Sequence, residues 1–204
     1  MTHSELLTPG QRVGLLGGSF NPAHEGHLHV TRMCLKALAL DRVWWLVSPQ
    51  NPLKSDAEMA PLTKRLSDAR ELVDKAGDPR IVVTDIETRL GTRYTIDTIE
   101  ALQARHPGVH FVWLMGADNL IQFPQWARWR DIAEAVPIAV YPRPGYTLKA
   151  RVCPAAEWLK PATLNADNAA LLAERTPPAL VFLEGPEHSA SATAIRAAAR
   201  ERRE

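Results

Sequence analysis

The stretch Val13-Gly-Leu-Leu-Gly-Gly-Ser-Phe-Asn-Pro-Ala-His-Glu-Gly-His27 joins an apolar run to a glycine turn and then to two closely spaced histidines. An apolar run without alternating polar residues is typical of a strand that is buried on both faces. The residues after the turn have helical periodicity, so the stretch predicts a strand, a tight turn and a helix. In a parallel sheet such a turn lies at the carboxyl end of its strand, where ligands bind.

The same alternation of short apolar runs and longer periodic segments continues along the chain. The predicted strands are 13–16, 43–47, 81–83, 109–115, 138–141 and 180–183. The predicted helices are 28–40, 62–76, 96–106, 126–135 and 192–203. Continuous apolar strands interleaved with helices predict an α/β fold, a Rossmann-like doubly wound parallel sheet with helices on both faces.

Length and composition favour one domain. A chain of 204 residues with 46% hydrophobic content can bury a sizeable core, so we expect a single domain over residues 1–204. Residues 145–178 are rich in proline and weakly periodic, which predicts an insertion of short helix and loop.

Charge and apolar patterning exclude several classes of partner. The 24 Lys and Arg residues nearly balance 23 Asp and Glu residues, so we expect no nucleic-acid partner. No apolar run approaches the roughly 20 residues that cross a bilayer, and no leader pattern precedes the first strand, so we expect a cytoplasmic protein without a membrane partner. Cys34 and Cys153 lie far apart in sequence, which predicts inert thiols rather than a disulfide framework or a zinc site.

The two histidines after the glycine turn are candidate phosphate ligands. His24 and His27 are three residues apart, so in a helical first turn they share one face and can donate hydrogen bonds to phosphoryl oxygens. Gly17 and Gly18 would let a ligand approach the backbone closely. The alternative is that the histidines only cap or solvate the helix. The chain has neither a P-loop nor a dinucleotide fingerprint, and a zinc site would lack a third ligand.

Further candidates follow other predicted strands. Ser191 and Thr193 begin the last helix with Arg196 one turn later, which favours an anion site over an ordinary cap with a surface arginine. Asp118 follows the strand 109–115 and should face the crevice, unless it caps the next helix. Lys54, in a loop after the second strand, is a phosphate contact or a solvated lysine.

Together these motifs resemble a known family. The pattern Gly-Gly-Ser-Phe-Asn-Pro-x-His-x-Gly-His is similar to the signature of nucleotidyltransferases with the HxGH motif, and specifically of bacterial nicotinate-nucleotide adenylyltransferases. The other matching segments are 49–54, 94–98, 116–118, 123–126, 143–145 and 191–196. Members of this family join ATP to nicotinate mononucleotide in NAD biosynthesis and release deamido-NAD and pyrophosphate.

The resemblance implies roles for individual residues. It implies that His24, His27 and Arg196 are catalytic. It implies that ATP and its phosphates contact Gly17, Gly18, Ser19, Phe20, Lys54, Ser191 and Thr193. It implies that nicotinate mononucleotide contacts Thr95, Asp118, Trp126 and Arg143, with Trp126 stacked on the pyridine ring. It also implies direct in-line attack on the α-phosphorus, with Mg2+ held by ATP oxygens and water and with no protein metal site.

Several alternatives remain open from the sequence. A related transferase could act on nicotinamide mononucleotide or phosphopantetheine, and a non-catalytic nucleotide-sensing module could retain the fold. Asn21, Ala127 and Ala192 depart from the common family pattern, which bears on substrate discrimination. The sequence leaves the oligomeric state open, a homo-oligomer included.

Overall fold

The computed structural model of the chain describes residues 5–49, 59–188, 190 and 192–201. Within these residues, seven strands form one sheet. The strands are Arg12–Gly18 (β1), Arg42–Val47 (β2), Ile81–Thr84 (β3), His110–Gly116 (β4), Ile138–Tyr141 (β5), Thr163–Leu164 (β6) and Leu180–Phe182 (β7).

Helices connect most of these strands. They are Glu25–Ala37 (α1), Leu62–Ala76 (α2), Ile86–Leu90 (α3), Thr95–Arg105 (α4), Ala117–Gln122 (α5), Trp129–Ala135 (α6), Thr147–Ala150 (α7), Pro154–Leu159 (α8) and Ala192–Glu201 (α9). Shorter 3₁₀ segments lie at Phe123–Gln125, Lys160–Ala162 and Ala166–Glu174. Among the described helices, none has the length and apolar character needed to cross a bilayer.

The order of the strands fixes where a ligand can bind. The order is β3-β2-β1-β4-β5-β7-β6, and every recorded pairing is parallel. The chain runs outward from β1 through β2 to β3 and then returns to β4 on the other side of β1. This reversal opens a crevice between the carboxyl ends of β1 and β4. The predicted α/β fold class is confirmed.

The central strands are apolar throughout because both faces of the sheet are covered. In β2 the indole of Trp44 belongs to one core cluster and that of Trp45 to the other, and both rings are buried. In β4 Trp113 and Leu114 alternate between the clusters in the same way. Side chains of successive strand residues point to opposite faces, so a continuous apolar strand supplies two cores at once.

The boundaries of two helices differ from the sequence prediction. The helix α1 begins at Glu25, three residues earlier than predicted, because a histidine fills the N-cap position. The helix α6 begins at Trp129 rather than at residue 126. The reason is backbone conformation: Trp126 is extended and Arg128 has a φ of 55°, in the left-handed region, so neither continues a helix.

Other predicted elements agree more closely, and some were missed. The helix α2 has the predicted bounds. Residues 145–178 contain α7, α8, two 3₁₀ segments and β6, a strand of two residues that no periodicity could indicate. The short helices α3 and α5 were also missed. Residues 202 and 203, predicted as the end of the last helix, lie outside the described residues.

A buried arginine joins the glycine turn to the loop after β2. The side chain of Arg65, on α2, is only 2% exposed. Its guanidinium donates to the backbone carbonyls of Ser19 at 2.7 Å, Ser48 at 2.8 Å, Pro49 at 3.0 Å and Ala60 at 2.9 Å. Burial lowers the pKa of Arg65 from its ordinary value. The guanidinium fork thus fixes three separate pieces of irregular backbone at once.

We predict that Arg65→Met destabilises the protein by about 3 kcal/mol or more, because it removes the donors of several buried carbonyls. Urea unfolding measures this loss. Arg70→Met is the matched control, since Arg70 lies on the same helix and is exposed. An equal and small loss in both variants would contradict the role assigned to the Arg65 guanidinium.

Candidate active site

The two predicted histidines cap the helix that follows the glycine turn. His24 is the N-cap residue of α1, and its Nδ1 accepts a hydrogen bond from the backbone N–H of Gly26 at 3.1 Å. The Nδ1 of His27 accepts from the backbone N–H of His24 at 3.2 Å. This reciprocal arrangement is a capping box built from imidazoles. The ring centroids lie 3.9 Å apart, so the structure brings the two side chains together.

The capping contacts determine which ring nitrogen carries a proton. A backbone N–H can only donate, so each Nδ1 acts as an acceptor and holds no proton. In a neutral imidazole the proton must then lie on Nε2. Helix capping, the alternative role considered from the sequence, is therefore present, and donation from Nε2 to a phosphate stays a prediction.

The environment keeps His24 neutral. Burial lowers the pKa of His24 from 6.5 to about 4, with smaller contributions from the positive charges of Arg143 and His188. At neutral pH the ring is therefore a neutral hydrogen-bond donor. A proton added to Nδ1 would also oppose the N–H of Gly26 and break the cap.

Gly17 makes room for an aromatic ring of the core, whereas a side chain at Gly18 would meet only ordinary van der Waals contact. A Cβ on Gly17 would lie 2.6 Å from the indole of Trp113, and one on Gly18 would lie 3.4 Å from the ring of Phe20. Phe20 itself is buried with a φ of 44° and stacks on Trp45 at 5.0 Å between ring centroids. Close approach of a ligand to Gly17 and Gly18 stays a prediction.

The last helix is tied to the same turn. Nη1 of Arg196 donates to the backbone carbonyl of Asn21 at 2.7 Å, and its Nη2 lies 3.5 Å from Oγ1 of Thr193. The structure thus brings Arg196 and Thr193 to the turn that carries His24. Ser191 and Lys54 lie outside the described residues, and Ser19 is buried with its carbonyl on Arg65.

Asp118 and Arg143 form an ion pair at the carboxyl ends of β4 and β5. Nη1 of Arg143 lies 2.6 Å from Oδ2 of Asp118. The other carboxylate oxygen, Oδ1, is buried and has no hydrogen-bond partner among the described residues. The N-cap of α5 is Gly116, so Asp118 does not cap that helix as the alternative would require. A buried acceptor without a donor in the protein is suited to a ligand hydroxyl.

Thr95 and Trp126 lie on segments that contact each other. Thr95 is the first residue of α4, whose N-cap residue Tyr94 makes no side-chain capping bond. Nη1 of Arg128 lies 3.3 Å from Oδ1 of Asp97 in the same first turn, which ties α4 to the segment after Trp126. Trp126 is half-buried and packs edge-on against Trp113 and Phe123, at 6.1 and 5.5 Å between centroids.

Three residues near these groups were missed by the sequence analysis. Arg65 and Trp113 contact the glycine turn at Ser19 and Gly17, respectively. A lone arginine or tryptophan gives no sequence signal for such a contact. His188 precedes the motif at 191–196, and that proximity was the one available clue. Within the described ranges, no three His, Cys, Asp or Glu side chains group in a way that could hold a metal ion.

Comparisons with known proteins agree with this geometry. The family profile described as Cytidylyltransferase-like matches residues 15–198. A protein of Parvibaculum lavamentivorans named as a nicotinate-nucleotide adenylyltransferase is 70% identical over 196 residues, which cover 96% of each chain. One of Roseobacter denitrificans with the same name is 51% identical over 187 residues, 92% of each chain.

A solved structure with low sequence identity has the same fold. The Plasmodium falciparum nicotinic acid mononucleotide adenylyltransferase complexed with NaAD is 14% identical, with a TM-score of 0.69 over 92% of this chain and 83% of that chain. The chain therefore belongs to the cytidylyltransferase-like nucleotidyltransferases and, within them, to the family of nicotinate-nucleotide adenylyltransferases.

Proposed function

We propose that this enzyme transfers AMP from ATP to nicotinate mononucleotide by direct in-line attack, with deamido-NAD and pyrophosphate as products. The observation that carries the proposal is the imidazole capping box at the carboxyl end of β1. The two rings are adjacent, and we infer that they donate from Nε2 to phosphate oxygens in the crevice.

The reaction needs positioning and charge stabilisation more than proton transfer. A phosphate oxygen of the mononucleotide attacks the α-phosphorus of ATP while the bond from that phosphorus to the bridging oxygen breaks and pyrophosphate leaves. The attacking oxygen is already anionic, so no general base is required. His24, His27 and Arg196 stabilise the charge that moves onto the phosphate oxygens. Gly17, Gly18, Ser19 and Phe20 would line the same phosphates.

The side chains of the proposed site suit a cation that arrives bound to ATP. We propose that Mg2+ is held chiefly by ATP oxygens and water, as is common in phosphoryl-transfer sites, where it neutralises phosphate charge. The carboxylate of Asp118, just after the carboxyl end of β4, is already paired with Arg143.

The mononucleotide would lie across the crevice on the side of β4. The uncapped N–H groups of α4 and the Thr95 hydroxyl suit the nicotinate carboxylate, because a helix N-terminus attracts anions. The half-buried ring of Trp126 offers a stacking surface for the pyridine. Oδ1 of Asp118 would accept from a ribose hydroxyl while Arg143 holds the carboxylate in place.

We further propose that residues 1–204 act as one nucleotidyltransferase domain in the cytoplasm. Its partners would then be two small nucleotides, with neither nucleic acid nor a membrane involved. The near balance of 24 basic and 23 acidic residues supports this reading, since a binder of long polyanions would carry an excess of positive charge.

His24→Ala should lower turnover by about 10²-fold or more, because each donor to the transition state contributes several kcal/mol. The rate of pyrophosphate release at saturating ATP and nicotinate mononucleotide measures this turnover. His110→Ala is a matched control, because His110 begins β4 at the opposite end of the sheet. If His24→Ala turns over at nearly the rate of the parent, His24 does not stabilise the phosphates in the transition state.

The lowered pKa of His24 also makes stability depend on pH. The folded chain protonates this ring near pH 4, whereas an unfolded chain does so near 6.5. As the pH falls from about 7 to 5, the unfolded state takes up the proton first, so the folded state loses stability. His24→Asn keeps a capping side chain without the titrating group. Urea unfolding should show a steeper loss in the parent than in His24→Asn, and parallel pH profiles would contradict the assignment.

Turnover with a panel of nicotinate mononucleotide, nicotinamide mononucleotide and phosphopantetheine tests the proposed substrate. We expect a preference of about tenfold to a hundredfold or more for nicotinate over the amide, because an amide N–H2 without an acceptor costs roughly 1 to 3 kcal/mol. Trp126→Ala should lower the catalytic efficiency with both pyridine mononucleotides by a similar factor. Thr95→Ala should instead reduce the ratio of the efficiency with nicotinate mononucleotide to that with its amide. If the parent enzyme uses nicotinamide mononucleotide as efficiently as nicotinate mononucleotide, the nicotinate assignment is wrong. If the parent shows no turnover of ATP with any of the three second substrates, a nucleotide-sensing module is favoured.

A further inference from the structure

Residues 186 and 187, between β7 and α9, are hydrogen-bonded to three neighbouring elements. The backbone carbonyl of Pro186 accepts from Nε2 of His29 at 2.7 Å and from the hydroxyl of Tyr141 at 3.0 Å. The neighbouring Glu187 accepts from the hydroxyl of Thr147 at 2.6 Å. Donors from α1, β5 and α7 therefore fix residues 186 and 187, which directly precede His188.

His188 and Ala190 both pack against the first turns of α1. The ring centroid of His188 is 5.4 Å from that of His29. The carbonyl of Ala190 lies 3.2 Å from the position that a Cβ on Gly26 would take, and the ring of His24 lies 2.9 Å from the same position. The backbone two residues after His188 thus packs beside the His24 ring, and glycine is required at position 26 to leave space for both.

The local bonding of His188 is the same as that of His24. Nδ1 of His188 accepts from the backbone N–H of Ala190 at 3.1 Å, two residues later, just as His24 accepts from Gly26. A backbone N–H only donates, so Nδ1 of His188 is an acceptor and Nε2 carries the ring proton.

We infer that His188 is a third imidazole of the phosphate site and donates a hydrogen bond from Nε2 to the triphosphate of ATP. The inference rests on the proposed function. A triphosphate presents many acceptor oxygens along its length, so a site made of several hydrogen-bond donors in fixed positions is chemically suited to it. His188 would extend the pair His24 and His27 toward α9 and Arg196.

The competing explanation is that His188 only shapes the turn before α9, and two substitutions distinguish the explanations. His188→Asn keeps an acceptor for the Ala190 N–H, as Asn165 does here by accepting from the N–H of Asp167 at 3.2 Å, but it lacks the distal donor. His188→Gln has a longer side chain that can place an amide N–H near the position of Nε2, while its acceptor no longer suits the short turn.

The experiment measures the dissociation constant for ATP with Mg2+ by equilibrium dialysis, without the second substrate. We expect His188→Asn to bind ATP about tenfold more weakly than the parent, as the loss of one charge-assisted hydrogen bond implies, and His188→Gln to bind more tightly than His188→Asn. Thermal unfolding checks that both variants are folded, and His110→Asn serves as the matched control.

The two explanations predict opposite orders. If His188→Asn binds ATP as well as the parent, or as well as or better than His188→Gln, then His188 only shapes the turn and the inference is wrong. A parent enzyme that neither binds ATP nor releases pyrophosphate would instead overturn the proposed function, so the two failures are separate.

Discussion

The need of a helix N-terminus for hydrogen-bond acceptors is the constraint from which the site follows. The first N–H groups of a helix have no partner within it, and in α1 the imidazoles of His24 and His27 take part in meeting that need. Because each ring accepts at Nδ1, its proton is confined to Nε2. Folding of the helix therefore also selects the tautomer of both rings, and no separate group is needed to direct the proton to Nε2.

This capping box forms only if the turn before it adopts a single backbone conformation. The turn contains a left-handed phenylalanine, Phe20, a conformation that costs of order 1 to 3 kcal/mol unless its surroundings impose it. Stacking of Phe20 on Trp45 and the contact between Gly17 and Trp113 supply apolar support. The guanidinium of Arg65 binds the Ser19 carbonyl from within, and that of Arg196 binds the Asn21 carbonyl from α9. Side-chain donors thus replace the sheet and helix bonds that an irregular turn lacks.

The sequence predicted what depends on local pattern and missed what depends on contacts between distant segments. Continuous apolar strands and periodic helices indicated the doubly wound sheet, and α2 was placed correctly. The strand β6 has two residues and no period, and the start of α6 depends on the left-handed backbone of Arg128. At the site, the spacing of His24 and His27 indicated a shared face, but the tautomer follows from bonds that only the folded turn makes. The ion pair of Asp118 with Arg143, 25 residues apart, likewise arises from the adjacency of β4 and β5.

A neutral His24 allows cationic groups to lie around the proposed phosphate site at little electrostatic cost. A charged His24 would repel the guanidinium of Arg143, and that repulsion is one cause of its lowered pKa. With the ring neutral, Arg143 can lie close to it and hold Asp118, while Arg196 approaches the turn from the other side. In the proposed site, the negative charge of an incoming nucleotide would then meet the guanidinium of Arg196, while that of Arg143 is already balanced by Asp118. A chain with nearly equal numbers of basic and acidic residues can thus supply positive charge locally to a small anionic ligand.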